Sequence, residues 1–256
     1  MVTIAVANQK GGVGKTVTVA NLGFALAEAG KRVLLLDLDP QASLSLALGA
    51  REVSPTASTV ALFSEDATDL QAILQPVAED SSVVLAPASE TLAHISAVLD
   101  RADLLKHPLA SLANDFDFAL MDTPPSLGWL PVNALAAAQY VLIPVQAAYL
   151  AMHGLRQAIQ TVERIREAYN PGLSVLGILL TMYDRRTSLS HQVEDRVREY
   201  FGATVFRTII HRTVRFDYAT IAGAPLIEYD PRSEAAAEYR ALAKEVLHNA
   251  KEGGTT

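Results

Sequence analysis

The chain has 256 residues, half of them apolar, with 21 Lys and Arg against 28 Asp and Glu, a formal charge of -7 and no cysteine. That length and apolar content suit one α/β domain, 1–256, and the lack of thiols excludes a disulfide framework, a thiolate zinc site and a cysteine-held iron–sulfur cluster. The acidic sum is uneven: residues 185–215 carry seven arginines against three acids, a local +4 that leaves -11 for the remainder and keeps a nucleic-acid partner open.

Val2 to Ala7 (VTIAVA) is a β-branched apolar run that predicts a strand. Behind it stands QKGGVGKT (9–16), and Thr16 to Ala29 predicts a mostly buried helix stopped by Gly30. Strand, glycine loop, helix is the context of a phosphate cradle: Gly11, Gly12 and Gly14 let backbone N–H groups turn inward, and the helix adds its positive end. In that cradle Lys15 reaches the β- and γ-phosphates, the Thr16 hydroxyl ligates Mg²⁺, and the backbone of Val13 and Val17 faces phosphate. Against the pattern G-x-x-x-x-G-K-[ST], Gln9 replaces the first glycine and Lys10 is a second lysine.

Arg32 to Leu38 predicts a buried strand that leads into DLDPQ (37–41). Asp37 can support a metal shell and Asp39 can orient an attacking water; alternatively both cap the next helix. Ser82 to Ala86 and Phe116 to Met121 predict two more strands, the second ending at Asp122-Thr-Pro-Pro-Ser126. Asp122 suits the acid that holds Mg²⁺ in nucleotide hydrolases, or a turn former if it stands alone. The apolar window 134–152 contains Gln139, Pro144 and Gln146, so it reads as helix end, strand (Tyr140 to Val145) and helix start rather than a membrane span. Ala148 to Tyr169 and Ser188 to Phe201 predict helices on either side of a strand from Leu173 to Thr181. Alternating helices and near-continuous apolar strands predict a doubly wound, mostly parallel sheet with ligands at the carboxyl ends of its strands.

Near the C-terminus, Ala235, Tyr239, Leu242, Val246 and Leu247 form a stripe at helical spacing, with four basic and four acidic residues from Pro231 to Glu252; this predicts a face docked on the core rather than a membrane anchor. No secretory leader is legible, residues 251–256 are expected to fray, and a reducing, cytoplasmic setting fits. The six histidines (94, 107, 153, 191, 211, 248) show no metal-ligand spacing.

KGGVGKT (10–16), DLDPQ (37–41), DTPPSLG (122–128), IPVQ (143–146), TMYDRRT (181–187) and YDPRS (229–233) together resemble the ParA/Soj family of partition ATPases, within the deviant Walker-A class of P-loop NTPases that includes MinD. The resemblance covers nearly the whole chain. It implies an ATP- and Mg²⁺-dependent ATPase that forms a nucleotide-sandwich homodimer, in which Lys10 reaches the phosphates held by the other subunit. It implies Asp37 and Asp122 in the Mg²⁺ shell and Asp39 in the water-activating switch. It implies a nucleoid-associated dimer on non-specific DNA, with Arg186 and Arg215 at the family's DNA-contacting positions and Arg185, Arg207 and Arg212 completing a basic strip. Plasmid, chromosome or protein cargo would be moved, and a ParB-like or other adaptor would speed an otherwise slow hydrolysis. Two departures stand out. His211 and Thr213 replace the proline and asparagine that frame the base, with Ala224 for a lysine, and Val17 replaces a threonine. The rivals are a MinD-like membrane ATPase and a small-molecule kinase or ligase using the same loop; a nitrogenase-like reductase is excluded by the missing cysteines.

Overall fold

The computed structural model describes residues 1–63, 69–78, 81–126 and 128–253. Eight strands are formed by β1 (Val2–Val6), β2 (Val33–Asp37), β3 (Gln75–Pro76), β4 (Val83–Ala86), β5 (Phe118–Asp122), β6 (Tyr140–Gln146), β7 (Ser174–Tyr183) and β8 (Val205–His211). They lie in one sheet in the order β3-β4-β2-β5-β1-β6-β7-β8, parallel throughout except where the two-residue β3 pairs antiparallel with β4. The helices are α1 (Lys15–Glu28), α2 (Ser43–Ala47), α3 (Leu92–Val98), α4 (Lys106–Ser111), α5 (Trp129–Ala137), α6 (Ala151–Ala168), α7 (Ser188–Phe201), α8 (Arg215–Ala222), α9 (Leu226–Tyr229) and α10 (Glu234–Glu252).

Alternation along the strands divides the core between the two faces of the sheet. Ala5, Leu34, Leu36 and Met121 pack with Leu130 of α5 and Leu155 of α6, while Ile4, Val6, Leu35 and Leu120 pack with Leu22 and Leu26 of α1 and Tyr239 and Leu242 of α10. The stripe on α10 is therefore docked: Ala235, Tyr239, Leu242 and Val246 are buried. The Tyr239 hydroxyl meets Thr18 Oγ1 of α1 at 3.4 Å inside that layer. No helix among the described residues is long and apolar enough to cross a membrane.

Of the tail expected to fray, residues 251 and 252 form the last turn of α10, which closes on Gly253, whose φ of 86° is the left-handed stop that glycine permits; residues 254–256 lie outside the described residues. Strand β8 is not among the strands expected from the apolar runs, because Arg207 and Thr208 interrupt it. As an edge strand it needs its outward N–H groups covered, and α10 covers them. Glu245 accepts from the N–H of Arg207 and Thr208, both at 2.8 Å, and Glu238 accepts from that of His211 at 3.0 Å.

The order of the strands positions the site. β1 lies between β5 and β6, β5 lies between β1 and β2, and in register Val6 faces Asp122 while Asp122 faces Asp37. The polar strand ends read from the sequence thus open side by side at one rim of the sheet.

Candidate functional site

The glycine loop leaves β1 through Asn8, whose side chain fixes the turn from both ends: its amide donates to Pro144 O at 2.7 Å and its oxygen accepts the Lys10 N–H at 3.0 Å. Gly12 (φ 70°) and Gly14 (φ 84°) occupy the left-handed region, which a side chain would strain. Thr181 at the end of β7 donates to Val13 O at 2.9 Å and pins the loop to a strand two positions away. Gly14 caps α1 without a side-chain hydrogen bond, and the first turn of α1 carries no acid. Its N–H groups are left to an anion.

Lys15 is buried, 7% exposed. Burial pulls its pKa down, and the carboxylates of Asp122 and Asp39 pull it back up. Thr16 Oγ1 donates to Asp122 Oδ2 at 2.7 Å, while Asp122 Oδ1, fully buried, has no hydrogen-bond partner. Burial and then the neighbouring Asp37 push the Asp122 pKa well up, against the Thr16 bond and the Lys15 charge. Asp37, also fully buried, is pushed up to about 6 by burial despite its hydrogen bonds. Its Oδ2 accepts from Ser45 N at 2.8 Å and Ser45 Oγ at 2.7 Å, and its Oδ1 from Asp39 N at 3.1 Å. Asp39 accepts from Gln41 N at 2.9 Å.

Two buried carboxylates on neighbouring strand ends, one with an orphan oxygen, beside a buried ammonium and a helix N-terminus, are an unfavourable arrangement for the bare protein. A divalent cation bound to phosphate answers both halves of it: the metal meets the acids and the hydroxyl of Thr16, and the phosphate meets Lys15 and the N–H groups. The residues present fit Mg²⁺ and a nucleotide triphosphate. Asp37 also does the capping work that the sequence left as an alternative, since it holds Ser45 at the start of α2.

Lys10 stands apart from this cluster. Its ammonium donates to Gln146 Oε1 at 3.2 Å, at the end of β6, and next to it Tyr149 and Leu150 are exposed, 84% and 59%. Gln9, the departure from the glycine pattern, donates through its amide to Thr161 Oγ1 of α6 at 2.6 Å.

Base-framing and DNA-binding expectations fall at the ends of β7 and β8. His211, Arg212, Thr213, Arg215 and Arg232 border a polar cavity of about 430 Å³. Arg185 Nε donates to His211 Nε2 at 2.7 Å and its Nη2 to Glu234 at 2.6 Å. Arg186 is 88% exposed and holds Asp184 at 2.8 Å, and Arg215 pairs with Asp230. The acids that answer these arginines thus come from α10, from the segment before it and from Asp184, whereas Glu194 of α7 pairs with Arg198 at 2.9 Å. Arg207 does not join the group. It lies four residues before His211 on β8, roughly 13 Å away at strand rise, in a separate groove with Arg198, Lys244 and His248. The histidine reading also needs amendment: His211, Glu234 and Glu238 bring ligand atoms within 4.8 Å of one another. Because Arg185 already binds His211 and Glu234, that cluster is a charge network with its cation in place.

Ser45, Gln146, Thr161 and Thr181 were not singled out from the sequence. Each acts on a residue at least eight positions away, and no local pattern marks such a bond, although Gln146 and Thr181 lie within the motifs IPVQ and TMYDRRT.

A family model described as an AAA domain matches residues 1–175. The sporulation initiation inhibitor protein Soj of Bacillus subtilis is 42% identical over 248 residues, covering 96% of this chain and 98% of that protein. The chromosome partitioning protein ParA of Myxococcus xanthus is 40% identical over 248 residues, covering 95% and 87%. Among solved structures, one described as cobyrinic acid a,c-diamide synthase from Mycobacterium smegmatis with bound ATP analog and magnesium is 38% identical, with a TM-score of 0.85 over 99% of this chain and 97% of that one.

Proposed function

The chain belongs to the ParA/Soj family of partition ATPases, and from that premise we propose that it works as an ATP-loaded homodimer which grips non-specific DNA and lets go on hydrolysis. It is an ATPase that uses ATP and Mg²⁺. The single observation that carries the proposal is the placement of Lys10. The chain holds two loop lysines in different places, Lys15 buried in the phosphate cradle and Lys10 on Gln146 at the end of β6.

When bound, Mg²⁺ would supply charge neutralisation at the phosphates. The rest falls to the chain. Thr16, Asp122 and Asp37 would hold the metal, directly or through water, and its charge would offset the burial that chiefly raises both carboxyl pKa values. Lys15 and the N–H groups of Gly12 to Val17 bind the phosphates of their own subunit. Asp39, half-buried and anchored only through neighbouring backbone, orients the attacking water. Two nucleotides facing each other bring excess negative charge to one interface, and Lys10 leaves Gln146 to offset it in the partner's site. Dimerisation is thereby tied to ATP, and hydrolysis releases it.

Arg186 and Arg212, at the ends of β7 and β8, together with Arg215 at the start of α8, supply phosphate contacts that the dimer doubles; Arg185 braces them through His211 and Glu234. His211 and Thr213 border the space for the base. A ParB-like or other adaptor supplies the stimulus to an otherwise slow turnover, and the cargo is a plasmid, a chromosome or a protein assembly on the nucleoid.

The test is co-sedimentation of the protein with duplex DNA and with anionic liposomes, each with ATP and with ADP, alongside hydrolysis rates. ATP-dependent DNA binding that weakens steeply with salt and raises turnover is expected. DNA-independent pelleting with liposomes would favour the MinD-like alternative, in spite of the docked α10, and turnover raised by a small carboxylic substrate instead of DNA would favour a ligase.

A further inference from the structure

Between α5 and α6, over β6, lies a partly open pocket of about 290 Å³ with a mostly apolar lining. Val141 and Ile143 of β6 form its floor, and Val132 and Leu135 of α5 and Ala158 and Val162 of α6 form its walls. Its polar lining comes from Asn8, Gln9, Thr123, Ser126 and Thr161, of which the Gln9 amide bonds Thr161 Oγ1, Asn8 is bound to Pro144 O and Thr123 to Val6 O. Trp129 also lines it and stands edge-on to Tyr169, with ring centroids 6.4 Å apart.

We propose that this cavity is a binding site for a flat, largely apolar small molecule of two fused aromatic rings with one hydroxyl or carbonyl, and that its occupancy is coupled to the nucleotide site. Size sets the ligand class. An apolar cavity of about 150 Å³ stays dry and takes a single benzene ring, so one near twice that volume takes a bicyclic compound of about ten to twelve non-hydrogen atoms. The apolar lining excludes an ionic or sugar-like ligand, whose many polar groups would outnumber the few partners that Gln9, Thr161 and their neighbours offer. The hydroxyl or carbonyl is directed to Gln9 and Thr161, the exchangeable pair of the polar lining. The coupling follows from the lining: Gln9 precedes Lys10, and Thr123 follows Asp122 and ties it to β1 through Val6 O at 2.9 Å. A molecule wedged against both segments must bind unequally to the nucleotide-free and nucleotide-bound forms if those segments shift, and by reciprocity it changes nucleotide affinity by the same factor. Only this second half rests on the ATPase reading.

Trp129 is the only tryptophan of the chain, so its emission reports the cavity directly. Titration of the full-length protein with 2-naphthol should quench that emission along a saturable curve. Ala158→Phe, which places a ring in the void, should weaken the binding at least tenfold while leaving nucleotide binding and thermal stability near the parent values. Val132→Phe, filling the void from the opposite helix, should do the same and keeps the test decisive if the first variant folds poorly. A non-saturable, collisional quench, or equal affinity in the filled variants, would overturn the site. With Mg²⁺ and a non-hydrolysable ATP analogue the naphthol affinity should change at least threefold, and equal affinities would overturn the coupling. Nucleotide binding measured without naphthol tests the ATPase reading separately.

Discussion

Replacing Ser45 with alanine removes one oxygen that holds both Asp37 of the phosphate site and the backbone just beyond β4. Ser45 is buried, 1% exposed; its Oγ donates to Asp37 Oδ2 at 2.7 Å and accepts the Ala88 N–H at 2.9 Å. The lost bond to a carboxylate is worth about 1.5–3 kcal/mol, and a buried N–H left without an acceptor costs about 1–3 kcal/mol. Almost no volume is removed, so the two terms dominate and the variant should be less stable by about 4 kcal/mol, a large part of the roughly 5–15 kcal/mol typical of a domain. The loss should depend on pH. Burial holds the Asp37 pKa up at about 6 in the folded chain, so Asp37 favours folding below its unfolded pKa near 4, and that contribution is lost as pH rises through about 6. Without Ser45 the folded pKa climbs further. The penalty for Ser45→Ala should then be full at pH 8, where the lost acceptor is a carboxylate, and smaller by about 1 kcal/mol at pH 5, where Asp37 is largely protonated and the bond was between neutral groups. Urea unfolding of both proteins in EDTA at the two pH values measures this. A penalty below about 1 kcal/mol, or one that grows on acidification, would refute the reasoning.

Gly177→Ala on β7 drives a methyl group into the buried Phe206 ring and should destabilise the chain by about 2–3 kcal/mol or more, with part regained by adding Phe206→Leu; a neutral single substitution would contradict the packing. Asp39→Asn should retain ATP binding while the hydrolysis rate falls by roughly 10²- to 10⁴-fold, and a rate within tenfold of the parent would remove Asp39 from its role. Arg186→Ala with Arg215→Ala takes four arginines from a dimer, so the slope of log affinity for duplex DNA against log salt should shrink by about 3 to 4. An unchanged slope would place the DNA elsewhere.

How far the sequence leads depends on the range of the interaction involved. Val2 to Val6 and Val33 to Asp37 are legible because a strand buried on both faces must be apolar throughout, and the first polar residue then marks the rim where the ligand binds. Asp37, Asp39 and Asp122 come from that logic, and the glycine loop from its local geometry. β8 escapes it because an edge strand tolerates Arg207 and Thr208, and its protection lies on α10, 38 and 37 residues on. The arginine strip is half legible for the same reason: the run of charge is visible in sequence, but the acids that engage it, Glu234 and Asp230, are placed by the fold. Gln9 looked like a defect in a motif and is a tether to α6, a fact that only tertiary contact reveals.

The account turns on Lys10 acting across a subunit boundary. Light scattering on a sizing column, with Mg²⁺ and a non-hydrolysable ATP analogue, should show the parent chain at twice its monomer mass and Lys10→Ala at the monomer mass, while a fluorescent ATP analogue binds both with affinities within a few-fold. If Lys10→Ala dimerises at the same protein concentration as the parent, or loses nucleotide binding as a monomer, the lysine serves its own site and the proposed switch is wrong.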